Sequence, residues 1–175
     1  MIELTDKFIQ ELITCDKEIE KADRKNMIEE NRSIRNNVYL YSADKKYAFT
    51  MFLRKSTEFE EDFSVGLKWT NVDKYLDIHR DIILFRCQGP HDSKKPTGTD
   101  IHHSYHVHEI TANDIFEYRY TRPAMKETCE EFNSFETALF YFCEKCGIID
   151  LEKYINIDLP NNMQYNIIDS EWFLW

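Results

Sequence analysis

Five of the chain's six histidines, His91, His102, His103, His106 and His108, fall within the nineteen residues HDSKKPTGTDIHHSYHVHE, and the sixth, His79, stands just upstream. Imidazole titrates near neutrality and is also the commonest nitrogen ligand of transition metals. Crowding it into one stretch points to proton transfer, metal ligation or phosphate binding, or else to a sheet that accommodates the rings without using them. In an extended HHSYHVHE, alternation would place His102, Ser104, His106 and His108 on one face. His103, Tyr105, Val107 and Glu109 would lie on the other.

Two chemistries follow from those faces. In the first, the His-x-His pair His106 and His108 supplies two ligands to a divalent transition metal, with His91 or Asp100 from the preceding loop as a third; otherwise no cofactor is expected. In the second, no metal is needed: His91, His106 and His108 shuttle protons at a phosphodiester while Arg86, Lys94 and Lys95 grip the phosphate, with His102 and Glu109 in support. RNA is the matching substrate, because its 2′-hydroxyl is a built-in nucleophile. The structural alternative puts His79 and His103 at ordinary sheet positions and pairs Arg86 with an acid.

Charge narrows the choice of partner. The net charge of −10 opposes broad attraction to nucleic acid, yet residues 80–108 carry +1 and the stretch from Lys126 onward carries −7. One locus can therefore accept an anion while most of the surface repels it. The acidic third suggests a second class of function, a non-catalytic protein of a phage or other mobile element that inhibits a host nucleic-acid-handling enzyme, as anti-CRISPR proteins do. Glu130, Glu131, Glu136 and Glu144 would then occupy a basic groove.

The elements that must position these groups are legible from periodicity. Phe8, Ile9, Leu12, Ile13 and Ile19 predict an amphipathic helix over residues 3–21, followed by a charged connector. NVYLYS and KYAFTMFLRK predict a hairpin, and DFSVGLKW, DIILFRC and HHSYHVHEI extend it to a five-stranded antiparallel meander. NSFETALFYFCEKCGI predicts a helix over residues 133–146, capped by Asn133 and ended by Gly147. The class is α+β: a single antiparallel sheet of about five strands with an N-terminal and a C-terminal helix packed on it. Residues 1–175 read as a single domain, with a core over 1–150 and an acidic, aromatic-ended extension over 151–175. Five scattered cysteines suit reduced thiols, and Cys143 and Cys146 share a helix face as structural residues. MIELTDKFIQEL is acidic where a signal peptide is basic, and no apolar run approaches ~18 residues, so a cytoplasmic protein with no membrane partner is expected.

LFRCQGPH followed by HHSYHVHE and a helix ending YFCEKCGI resembles an uncharacterised bacterial family of small domains with an Arg, Gly-Pro-His, His-x-His, acid signature. Arg86, Gly89, Pro90, His91, His106, His108 and Glu109 occupy the signature positions; DSKKP stands where that family has an Asn-Pro. The arrangement is also similar to that of the small toxin ribonucleases of toxin-antitoxin modules. That resemblance implies an endoribonuclease and an antitoxin partner.

Overall fold

The computed structural model describes residues 2–91 and 101–157. Eight strands form one antiparallel sheet in the order β1-β3-β4-β5-β6-β7-β8, with β2 also pairing β3. The predicted meander is its centre: β3 (Ser33–Ser42), β4 (Ala48–Ser56), β5 (Phe63–Trp69), β6 (Ile82–Gln88) and β7 (His106–Glu109). The expectation of about five strands falls short by β1 (Lys17–Ala22), β2 (Ile28–Glu30) and β8 (Lys126–Thr128). Their sequences, KEIEKA, IEE and KET, are short and charged, as edge strands are when they avoid further pairing. That composition reads as connector.

The N-terminal helix is shorter than expected. α1 spans Asp6–Thr14, with Thr5 Oγ1 accepting from the Phe8 amide at 3.1 Å, and the chain turns extended at Cys15. What stops it is Lys17, which opens β1 and is almost fully buried. Its ammonium donates to the carbonyls of Ile13 (2.7 Å), Cys15 (2.8 Å) and Cys146 (2.8 Å), so one cation satisfies backbone oxygens at the ends of α1 and of the C-terminal helix α3 (Phe135–Lys145). Ser134, not Asn133, caps α3, through a reciprocal capping box with Thr137. Gly147, at φ 61°, ends it as the sequence suggested.

α1 and α3 cover one face of the sheet. Phe85 stacks on Phe142 with ring centroids 5.9 Å apart, and Ile9, Leu12, Leu139, Val65 and Leu67 fill the space around them. Each such side chain contributes roughly 1.5–3 kcal/mol on burial. Cys146 is buried in that layer and Cys143 packs against it, consistent with a structural pair. No helix among the described residues is long and apolar enough to cross a membrane.

The opposite face is built by the strand register. One row across the sheet reads Asn37, Phe52, Gly66, Arg86, His108, Lys126. The next reads Arg35, Arg54, Ser64, Gln88, His106, Thr128. A register shift between Leu67 and Lys68 sends both Leu84 and Phe85 into the core and sets Lys68 opposite Ile83 on the outer face. Apolar residues at alternate positions fix one face in the core, and this forces the Arg and His residues between them onto the other.

Candidate functional site

The β6–β7 pairing sets Arg86 opposite His108 and Gln88 opposite His106, so arginine and the His-x-His pair share one face. Beyond β6, the Gly89 amide donates to the Phe63 carbonyl, and a Cβ at Gly89 would stand 1.8 Å from the Glu61 carbonyl oxygen. Only glycine lets the chain pass so close. The turn that follows aims His91 back, and its amide donates to the His102 carbonyl at 2.9 Å, joining the two ends of the histidine segment. His102 belongs to a 3-10 turn, Ile101–His103, and not to the strand, so it does not alternate with His106 as expected.

Four rings result in one cluster. His91 lies 4.8 Å from His102 and 5.3 Å from His106 between centroids; His106 lies 5.4 Å from His102 and 4.9 Å from His108. His91, His102 and His106 each offer a nitrogen, all within 4.8 Å of one another. This revises the expected ligand set. His102 takes the place of His108, whose ring stands 6.4 Å from that of His102.

Backbone carbonyls set the tautomers. His106 Nδ1 is 2.8 Å from the Ser104 oxygen and His91 Nδ1 is 3.0 Å from the Gly89 oxygen. A carbonyl only accepts, so Nδ1 carries the proton in each ring, and in the neutral ring Nε2 keeps its lone pair. His106 is fully buried and its Nε2 meets no hydrogen-bond partner. Burial first, then neighbouring cationic groups, pushes His106 down to about 4 and His108 to about 2, so both are neutral at physiological pH. Neither nitrogen of His108 has a hydrogen-bond partner among the described residues.

Arg86 completes the site. Burial lowers its pKa, its Nε is buried without a hydrogen-bond acceptor, and it forms no ion pair among the described residues. Among the described residues no acid pairs with Arg86, where one was expected. Arg86, His91, His102 and His108 line a half-open cavity of about 520 Å³ together with Arg122 and Lys126, and none of the described residues that line it is a carboxylate. Lys126 donates to His102 Nε2 at 3.1 Å. A pocket with this lining favours an anion.

The remaining expectations separate clearly. Glu109 faces the helices, where Gln10 hydrogen-bonds its carboxylate, so it does not support the cluster. His79 and His103 are exposed and stand outside the cluster. Lys94 and Lys95 lie outside the described residues, as do Asp100 and the tail from residue 158. Glu130, Glu131 and Glu144 are exposed, whereas Glu136 is half-buried and 3.6 Å from Lys55. Arg122 and Lys126 were missed, although RYTRPAMK, with three bases and no acid in an acidic chain, carried a signal.

Comparisons with protein families, curated proteins and solved structures gave no match.

Proposed function

We infer that His91, His102 and His106 hold a divalent transition metal of the zinc class, and that the site hydrolyses a phosphoester held by Arg86. The observation that carries this reading is the pair of carbonyl-fixed imidazoles: Ser104 and Gly89 hold the Nδ1 protons of His106 and His91, which is how metal-ligating histidines are commonly oriented. Three histidines with an open fourth position are the ligand pattern of catalytic rather than structural zinc. Ideal tetrahedral nitrogens lie about 3.3 Å apart, so the trio closes by side-chain rotations on binding, with His102 exchanging the Lys126 ammonium for the metal.

Three neutral ligands leave the metal's charge uncompensated, and Arg86, Arg122 and Lys126 add to it. An anion is the ligand such a pocket needs. Bound metal would supply a Lewis acid and lower the pKa of water. In hydrolysis one water adds across one P–O bond: its oxygen joins phosphorus, the leaving oxygen departs, and a proton from the water ends on that leaving group. His108, neutral and unpartnered in the same cavity, is placed to hydrogen-bond the phosphoryl group or the water. A ribonuclease-like action agrees with the similarity to toxin ribonucleases. Metal-free cleavage by paired imidazoles needs one of them to be an imidazolium, and burial disfavours that form for His106 and His108.

The test is metal content and hydrolysis on the purified full chain. One zinc or cobalt per chain is expected, with tetrahedral cobalt absorption, and His91→Ala and His102→Ala should each weaken binding by at least tenfold. His108→Gln should keep the metal and slow cleavage of bis(p-nitrophenyl) phosphate. Absence of stoichiometric metal overturns the reading, and cleavage that survives a chelator returns the case to paired imidazoles.

A further inference from the structure

The histidine cavity does not end at Arg86. Ile83, Arg86 and Gln88 also line a second cavity, of about 720 Å³, that runs over the outer face of the sheet toward β2 and β3. Arg24, Arg35, Arg54 and Lys68 border it along with Arg86, against two acids, Asp23 and Glu30. In a chain of net charge −10, this face is where positive charge has been collected. Asp62 engages Arg54 through two bonds of 2.9 and 3.2 Å, but Arg35, Lys68 and Arg86 form no ion pair among the described residues. From β3 to β7 the face spans about 19 Å at the ordinary strand spacing.

Its floor is aromatic. A Cβ on Gly66 would fall 2.2 Å from Cζ of Phe52, so the Phe52 ring lies over the glycine, half-exposed at the cavity. Lys68 Nζ sits over that ring, 5.4 Å from its centroid, and would swing aside onto a phosphate as a base takes its place. Gly66 is thus the residue that lets an aromatic plate lie beneath Lys68 and beside Arg86. Amide side chains of Asn37 and Gln88 flank it.

We propose that this face is a binding track for single-stranded nucleic acid: a base stacks on Phe52, backbone phosphates lie on Arg35, Lys68 and Arg86, and the strand delivers a phosphodiester to the histidine cluster. The inference rests on the hydrolytic reading only for its reactive end; strand binding itself needs no metal. A cationic groove with an aromatic platform is how sequence-tolerant single-strand binders are made, and a paired duplex cannot lay a base on the ring.

The experiment measures anisotropy of fluorescein-labelled twelve-nucleotide oligouridine, oligothymidine and a duplex of equal length against the full chain in EDTA, at several salt concentrations. Single strands should bind at least tenfold more tightly than duplex, with log K falling against log salt at a slope of about −2, as three phosphate contacts on a single strand require. Comparing the uridine and thymidine arms tells RNA from DNA. Phe52→Leu keeps an apolar side chain without the π face, so it should retain the melting temperature and lose at least fivefold in affinity; Lys68→Gln should make the salt slope shallower by about 0.7. Equal binding of duplex, no binding at micromolar protein, or indifference to Phe52→Leu overturns the proposal. Metal content measured beside strand binding on the same wild-type chain separates the two readings: strand binding in EDTA with no stoichiometric metal defeats only the hydrolytic site, and metal without strand binding defeats only the track.

Discussion

Replacing Arg86 by methionine should stabilise the protein while destroying its affinity for anions. The guanidinium is partly buried on the sheet, and among the described residues its Nε has no acceptor and no carboxylate answers its charge. A buried polar group left unsatisfied costs about 1–3 kcal/mol, and uncompensated charge adds to that. Methionine is unbranched and fills much the same space beside Gly66 and His108, the cross-strand neighbours of Arg86. A gain of about 2 kcal/mol is therefore expected, which in a chain of this size raises the melting temperature by about 4–8 °C. Urea unfolding in a buffer free of phosphate and sulfate, at fixed ionic strength, measures it. Adding a binding anion at about 100 times its dissociation constant should raise the wild type by about 2.7 kcal/mol and leave Arg86→Met unmoved. Should the variant prove less stable than the wild type by 1 kcal/mol or more without anion, Arg86 is held by the protein itself and the argument for an anion site collapses.

Two further substitutions test the frame that carries the site. Lys17→Met leaves the carbonyls of Ile13, Cys15 and Cys146 without their donor, and should cost about 3 kcal/mol by urea unfolding. Asp114 is fully buried, and burial would raise its carboxyl, but hydrogen bonds from Ala124, Arg119 and Thr111 outweigh that and hold its pKa below the ordinary value. A depressed carboxylate contributes stability above the unfolded-state pKa of about 3.9 and loses it as pH falls through the native value. Asp114→Asn should thus be weaker than wild type by about 2–3 kcal/mol at neutral pH, with the gap narrowing below about pH 4; a gap constant down to pH 2 contradicts this.

The meander was legible because its strands are runs of aromatic and β-branched residues alternating with polar ones, and α3 because NSF and CG mark its ends. Lys17 shows why the N-terminus was not. Ile19 falls on the helical spacing of Ile9, Leu12 and Ile13, and nothing local tells a reader that the ammonium two residues before it turns inward to meet a carbonyl 129 residues away. The return of His91 to His106 could be read from Gly89 and Pro90, since a tight turn after a strand must bring the chain back. His102 could not. Its place depends on the strand starting at His106 and not at His102, a matter of a 3-10 turn that HHSY does not announce. The cationic face is harder still, because Arg35, Lys68 and Arg86 lie on three different strands and meet only through register.

The acidity of the chain and the basicity of this face belong to one argument. A protein with uniform positive charge binds polyanions at any orientation, whereas one that is negative except along one groove is repelled until the groove is presented. Arg86 and the histidines sit at the end of that groove where no described residue is a carboxylate, and Asp23 and Glu30 stand toward its other end. A strand lying in it therefore meets a potential that grows more favourable toward His91, His102 and His106. The same lining gives the Arg86 Nε no acceptor among the described residues, so stability is surrendered where an anion would supply the missing charge. That coupling is why stability gained and binding lost should appear together in Arg86→Met, and an arginine kept only for packing offers no reason for either.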